Sequence, residues 1–188
     1  EEDQEERAER GFNNSYQGGD AKPLCSITHP SAAGESSQSN ASATGVVLSE
    51  ANLETLWLQL RGQLDDKGMR IMAKADKLLL PVELEKDASE IIGSPYRSGT
   101  ADNDMNFWRG KLSIVSWDYM DRNATHWFLI DNSLNQLTWF DRRKVTFEQD
   151  KTFDTDMALF KGSARWSNGW SDWRGVVGSQ GDGAAYSG

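Results

Sequence analysis

The stretch KLLLPVELEKDASEIIGS, residues 77–94, decides the fold class of this chain. Its first four residues, 77–80, form a short apolar run of the kind that fills a buried strand. Pro81 follows directly, and proline is favoured at the first helical position because it has no amide hydrogen to satisfy there. Apolar residues then recur at helical spacing up to Gly93, which is expected to end the helix. The stretch therefore predicts a strand, a tight turn and a helix in succession.

A second helix is predicted upstream, with Ser49 as its N-cap. A serine hydroxyl at this position accepts a hydrogen bond from a free amide of the first turn. Leu48 can pack against Leu53 across that turn, and Gly68 is expected to cap the other end. The helix is expected to bury one apolar stripe, formed by Leu53, Leu56, Trp57, Leu60 and Leu64.

Beyond residue 106 the apolar period changes from helical to alternating, which indicates strands. A long antiparallel strand is predicted over 157–166, with its even-numbered residues on a drier face. The chain is expected to continue extended over 170–178. Shorter strands are predicted over 111–117, 127–130, 138–140 and 142–149.

Three polar stretches are expected to lie outside this framework. Residues 1–12 are typical of the last turns of a helix, because oppositely charged residues recur three or four apart; a solvated charged tail is the alternative. Residues 31–45 contain no large apolar side chain and predict a surface loop. Residues 94–106 predict a second polar loop.

Length, charge and cysteine content exclude several classes of protein. The 188 residues suit one medium domain or two small lobes. A formal net charge of −9 argues against sequence-independent binding of duplex DNA, which needs clustered lysine and arginine. The single cysteine excludes an internal disulfide. No apolar run approaches the about 20 residues that cross a bilayer, which excludes a membrane-spanning helix.

The residue types that carry catalysis are sparse. Cys25 and His29 stand four residues apart, and a thiol–imidazole pair is a minor alternative there. Pro30 favours a plain turn at this place. His126 precedes an apolar strand and is interpreted as a strand-edge residue. We therefore predict no enzyme and no cofactor.

Two groups of acidic residues were candidates for a metal ion. Asp102, Asp104 and Asn106 match the start of a calcium loop, but Phe107 stands where that loop requires glycine. The aspartates from 150 to 156 are interpreted as a solvated turn, with a salt bridge to Arg142, Arg143 or Arg165. No metal site is predicted.

The unusual feature of the composition is tryptophan, of which the chain has eight. One interpretation of the C-terminal cluster is simple core filling. The other is a subunit interface, because tryptophan and arginine are enriched at contact hot spots; carbohydrate stacking is a weaker third. The candidate interface residues are Arg165, Trp166, Trp170, Trp173 and Arg174.

An ordered series of short motifs along nearly the whole chain resembles the major capsid (head) proteins of tailed bacteriophages. The closing part holds FEQD (147–150), FDT (153–155), KG (161–162), GW (169–170), DWRGV (172–176) and GS (178–179). The upstream part holds NN (13–14), LCSITHP (24–30), QSN (38–40), LLPVELE (79–85) and IIGS (91–94). Each motif is weak alone, but their common order is specific.

The resemblance implies an α+β shell fold with a peripheral and an axial domain. Residues 1–30 would be the end of the peripheral spine helix and its connection, 31–140 the axial domain, and 141–188 the returning peripheral strands. The N-terminal arm and extended loop that precede the spine helix in the family have no counterpart in this sequence, which implies that its N-terminal part is missing.

The resemblance also implies a function. The chain would be a structural protein of the virion, made in the cytoplasm of the host bacterium, that assembles with itself into hexamers and pentamers of an icosahedral shell. The shell would enclose DNA without binding it specifically, with scaffolding, portal and decoration proteins as further partners. A bacterial nanocompartment shell of the same fold is the first alternative; a small hydrolase or carbohydrate-binding module is the second.

Overall fold

The computed structural model describes residues 11–30, 37–97, 104–118, 120, 125–134, 137–151 and 158–186. The chain separates into two compact units. Leu137–Ser171 forms one unit, called the hairpin below. Glu1–Gln136 and Asp172–Gly188 together form the other, called the body.

A four-stranded mixed sheet lies at the centre of the body. Strand β1 (Lys77–Pro81) is parallel to β2 (Ser113–Trp117) and antiparallel to β3 (Trp127–Ile130). The last strand, Val176–Ser179, pairs antiparallel with β3 and is β6 in chain order. The spatial order is therefore β2-β1-β3-β6. The strands predicted over 77–80 and 127–130 are confirmed, and the one predicted over 111–117 begins two residues later.

Helix α1 (Glu50–Arg61) supplies one side of the core. The Ser49 hydroxyl accepts a hydrogen bond from the Asn52 amide at 3.3 Å, which confirms the predicted N-cap. The buried side chains of α1 are Leu53, Leu56 and Leu60, three of the five residues predicted for its apolar stripe, and Trp57 is partly buried. They join one hydrophobic cluster with side chains of β1, β3 and β6.

The end of α1 differs from the prediction. The helix ends at Arg61 with Gly62 as its C-cap, so Leu64 lies outside it and Gly68 belongs to a later turn. Tertiary hydrogen bonds explain the early end, because the Leu64 amide donates to Gln38 Oε1 at 2.8 Å. The Gln63 side chain likewise donates to the Ser39 carbonyl at 2.8 Å.

The strand–turn–helix predicted over 77–94 is present with a shifted junction. Pro81 is the last residue of β1, not the first of the helix. A 3-10 helix, Val82–Leu84, follows, and helix α2 then runs from Glu85 to Gly93. Helix α2 buries Ala88 and Ile92 and provides the crossover that the parallel β1–β2 pair requires.

The hairpin consists of two long antiparallel strands, β4 (Leu137–Lys151) and β5 (Ala158–Trp170). The strands predicted over 138–140 and 142–149 are parts of the single strand β4. The extended run predicted over 170–178 is interrupted, because a tight turn places the Val176 amide 3.1 Å from the Trp173 carbonyl.

The prediction of a surface loop over 31–45 is wrong for the part that the structure describes. Asn40 and Ala41 are buried, and Ala41 pairs with Gly178 of β6. Small polar residues fit there because side-chain hydrogen bonds replace apolar contacts. The predictions for residues 1–10, 31–36 and 98–103 lie outside the described residues.

Helices and sheets of this kind agree with the predicted α+β class. The body and the hairpin do not coincide with the three predicted ranges. The assignment of 1–30, 31–140 and 141–188 to peripheral and axial domains stays a prediction.

Candidate subunit interface

The register of the hairpin determines which side chains share a face. Strand β5 is regular, whereas β4 has register shifts between Asp141 and Arg143 and between Arg143 and Thr146. Each shift accommodates one extra residue of β4, as a β-bulge does. A single bulge would place Trp139 and Phe147 on opposite faces. Two bulges cancel, so both residues lie on one face.

That face carries a row of six large apolar side chains, interspersed with polar ones such as Asp141, Gln149 and Asn168. Trp139 stands opposite Asn168 and stacks on Trp166, with ring centroids 6.0 Å apart and planes inclined by 19°. Phe147 stands opposite Gly162 and lies over it, since a Cβ at that glycine would be 3.4 Å from the Phe147 ring. The row, called the aromatic face below, consists of Leu137, Trp139, Phe147, Phe160, Trp166 and Trp170.

The aromatic face is open to solvent in the single chain. Phe147 is 83 % exposed and Phe160 is 73 % exposed, while Trp139 and Trp166 are each about half exposed, at 50 % and 49 %. No residue of β4 or β5 is buried. An isolated two-stranded sheet is marginally stable, and contiguous exposed apolar surface marks an interaction site. The face therefore has the properties of a surface that becomes covered.

The opposite face of the hairpin is mainly polar and charged. Thr146 and Ser163 are directly opposite, and their hydroxyls are 2.9 Å apart. Glu148 faces Lys161, which is a favourable cross-strand pair. Near the bulges, however, Arg143 faces Arg165. This face is suited to charged contacts, whereas the aromatic face is suited to apolar ones.

The five predicted interface residues are divided between the two units. Trp166 and Trp170 lie on the aromatic face, and Arg165 lies on the charged face. Trp173 and Arg174 belong to the body. The other exposed members of the aromatic face, Leu137, Trp139, Phe147 and Phe160, were missed, although the even-numbered alternation of β5 already pointed to Phe160.

Trp173 illustrates the alternative of core filling. It is buried, and its ring stacks on the His29 imidazole with centroids 4.0 Å apart and planes 7° apart. His29 Nδ1 is 2.5 Å from Asp20 Oδ2, and His29 Nε2 is 2.9 Å from Asn40 Oδ1. Trp173 thus closes a buried polar network inside the body.

Asn40 is the centre of this network. Its Oδ1 accepts from the Ser26 amide at 2.8 Å, and its Nδ2 donates to the carbonyls of Leu24 and Val176 at 2.7 and 3.0 Å. These partners fix the orientation of the amide, so His29 Nε2 donates to Asn40 Oδ1. One side chain therefore joins three separate segments of the body.

This geometry disfavours the thiol–imidazole alternative. Both ring nitrogens of His29 are occupied by Asp20 and Asn40. Cys25 is buried, and burial raises the pKa of its thiol. A buried neutral thiol is a poor nucleophile. The arrangement at Cys25 and His29 is that of a structural core.

Arg174 is held by acidic partners of its own unit. Its guanidinium bonds Asp66 and lies 3.3 Å from Asp172 Oδ2. Burial alone would lower the pKa of Arg174, but the two carboxylates raise it. The side chain is 14 % exposed, so most of it is withdrawn from solvent. Asp172 is thereby linked to the turn that contains Asp66.

The buried side chain of Asp131 was not singled out from the sequence. Its carboxylate accepts from the Lys74 amide at 2.6 Å and from the amide and hydroxyl of Ser133 at 2.8 and 2.5 Å. Burial by itself would raise the pKa of Asp131, but these hydrogen bonds lower it overall. Asp131 therefore stabilises the turn that follows β3.

The described part of the chain offers few features of a metal site, a membrane span or a tryptophan-lined carbohydrate site. It holds no group of three or more His, Cys, Asp or Glu side chains placed to bind a metal ion. None of its helices has the length and apolar character needed to cross a bilayer. A hollow beside α1 is lined by polar residues such as Glu50, Glu90 and Arg97, with no tryptophan.

Comparison with known protein families identifies the family of this chain. Residues 10–179 match the family model described as Phage capsid protein. The chain belongs to this family, whose members are structural proteins of the virion. No curated protein matches the chain significantly.

Proposed function

We propose that this chain is a major capsid subunit that assembles with itself into the icosahedral head shell of a phage. Membership of the phage capsid family supports a structural role. The observation that carries self-assembly is the aromatic face, which no residue of its own unit covers among those the structure describes. Shells are built by burying the same patch repeatedly around symmetry axes.

The proposed contact uses the hairpin in two ways. The aromatic face supplies the apolar area, with Trp166 and Trp170 as anchors, because buried aromatic side chains dominate interface energetics. Arg165 supplies a charged contact on the other face. For Trp173 and Arg174 we propose a supporting role, in which they hold the body segment that follows the hairpin.

The arrangement of the shell follows the same proposal. Hexamers and pentamers of the chain would enclose DNA, with scaffolding, portal and decoration proteins as further partners. The net charge of −9 favours an inner shell surface that binds DNA only weakly. With the predicted ranges, β1 to β3 would belong to the axial domain, whereas β5, β6 and β4 from residue 141 onward would belong to the peripheral domain.

The proposal is tested by removing part of the aromatic face. The double variant Phe147→Ser/Trp166→Ser is expected to raise the concentration needed for assembly at least tenfold, because it removes two exposed anchors. Electron microscopy and sedimentation velocity measure closed particles against free chains. Urea unfolding of the unassembled variant should show an unchanged transition for the body, because neither residue belongs to the hydrophobic core of the body.

A matched control removes exposed apolar side chains from the body. Met72 and Met105 are 83 % and 86 % exposed, comparable to Phe147, and Met72→Ser/Met105→Ser should assemble normally. Closed particles with rings of five and six would support the proposal. A wild-type chain that stays monomeric under every condition would refute it, and particles filled with protein cargo instead of DNA would favour a nanocompartment.

A further inference from the structure

The middle of the hairpin carries a cluster of four cationic side chains. Arg142, Arg143 and Lys144 are consecutive in β4 at the two bulges, and Arg165 stands directly opposite Arg143. All four are exposed. The cluster, called the basic cluster below, lies where the regular ladder is interrupted. Bulges are concentrated at functional places in sheets because they redirect side chains.

The acidic side chains that the structure describes do not neutralise this cluster. None of the ion pairs among the described residues involves Arg142, Arg143, Lys144 or Arg165. The neighbouring Asp141 accepts a hydrogen bond from Trp139 Nε1 at 2.7 Å instead. Of the aspartates predicted to form a salt bridge with Arg142, Arg143 or Arg165, Asp150 forms none, and Asp154 and Asp156 lie outside the described residues.

The pairing of Arg143 with Arg165 is unfavourable for the hairpin alone. Like charges directly opposite each other across two strands destabilise a sheet. An exposed pair of like charges with no acidic partner among the described residues is suited to bind an external anion. That anion must be accessible to an exposed and bulged strand.

The charge distribution of the chain indicates which anion. The hairpin range 137–171 contains six Lys and Arg against five Asp and Glu, a net charge of +1. Since the whole chain carries −9, the remaining residues carry −10. The surface that complements the basic cluster is therefore the body of another copy. Opposite surfaces of this kind steer association and set its orientation.

We propose that the basic cluster of one subunit binds carboxylates on the body of a neighbouring copy, an inference that rests on the proposed shell function. The contact is heterologous, because a basic surface of one copy meets an acidic surface of the next. Such contacts generate rings when the rotation closes. In this contact the aromatic face supplies the apolar area that becomes buried. The basic cluster determines which surface of the neighbouring copy the aromatic face packs against.

Arg143→Glu separates a binding role from a structural one. The substitution places a glutamate opposite Arg165, so the free hairpin should be as stable as before or more stable, with an unchanged or raised melting temperature. Assembly should nevertheless require at least tenfold more protein. Arg109→Glu is the matched control, because Arg109 is an exposed arginine of the body and its reversal changes the net charge equally.

Cross-linking identifies the partner directly. A carbodiimide joins Lys144 to any carboxylate in contact with it, and mixing isotopically light and heavy chains shows whether the link is intermolecular. Links from Lys144 to Asp or Glu residues of the other copy's body are expected. Links confined to its own hairpin, or none in assembled particles, would overturn the inference.

The outcomes distinguish the two proposals. If the wild type forms shells and Arg143→Glu forms them equally well, the basic cluster has no such role and the shell function stands. If the wild type never associates, both are refuted. If Arg143→Glu assembles normally but loses binding to a labelled DNA duplex that the wild type binds, the cluster is a nucleic-acid site instead.

Discussion

At the scale of single residues, the body depends on polar side chains that its sequence does not mark out. Asn40 lies in a stretch of small polar residues, yet it is buried and satisfies partners from two other segments of the body. A buried donor or acceptor that loses its partner costs more than the bond itself contributes. The residues most sensitive to substitution are therefore not all apolar.

Replacing Asn40 by alanine should destabilise the body by about 2–4 kcal/mol, because it leaves the Ser26 amide and the His29 imidazole without their acceptor. Urea unfolding of the unassembled chain measures this loss. Asn132→Ala is the matched control, since Asn132 is exposed and, among the described residues, its side chain bonds the Lys77 ammonium alone. This variant should change stability by less than about 0.5 kcal/mol. Equal effects would contradict a central role for Asn40.

Asp131 predicts a dependence of stability on pH. Its pKa is lowered in the folded chain, so its contribution is present above the unfolded value of about 3.9 and is lost as the pH falls through the lower folded value. Asp131→Asn should therefore be less stable than the wild type at pH 7. The difference should shrink towards pH 3 in urea unfolding. A difference that is constant with pH would exclude this linkage.

At the scale of elements, the two units differ in how they are stabilised. The body sheet is covered by α1 and buries Trp127, Leu129 and Val177. The hairpin has strands of 15 and 13 residues with no buried side chain. Its cross-strand contacts, such as the Trp139–Trp166 stack, contribute only about 0.2–1 kcal/mol each. The hairpin alone is therefore expected to be only marginally stable.

Hydrogen exchange should show this difference directly. In the unassembled chain, amides of β4 and β5 should exchange much faster than those of β1 and β3, because an exposed two-stranded sheet opens at low cost. In assembled particles the hairpin amides should become protected, while those of the body change little. Mass spectrometry of peptides from 137–151 and 77–81 provides the comparison. Equal protection of the hairpin before and after assembly would count against its role as the contact.

At the scale of the whole molecule, apolar area and charge are distributed unequally. The hairpin range carries the aromatic face and a net charge of +1, whereas the rest of the chain carries −10. A subunit with these two surfaces is suited to repeated head-to-tail contacts. In such contacts each copy binds one neighbour through its hairpin and another neighbour through its acidic body. The proposed shell function and the proposed basic cluster both follow from this asymmetry.

Local sequence patterns predicted which helices and strands are present better than they predicted the residues at which each one ends. The strand, turn and helix over 77–94 are present because the apolar run, Pro81 and the helical spacing act over neighbouring residues. The alternation over 157–166 also placed the even-numbered side chains correctly on one face. The end of α1 was wrong because Gln38 and Ser39, more than twenty residues away, bind the segment that a longer helix would include.

The sequence by itself determined the local elements, the charge asymmetry and membership of the phage capsid family, since all three are properties of residue order. Only the tertiary structure decided which tryptophans are covered. Trp166 and Trp173 stand seven residues apart, yet one is half exposed on the hairpin and the other stacks on His29 inside the body. The burial of Trp173 depends on the pairing of β6 with β3 and on the hydrogen bonds of Asn40, and those contacts join segments that no local periodicity connects.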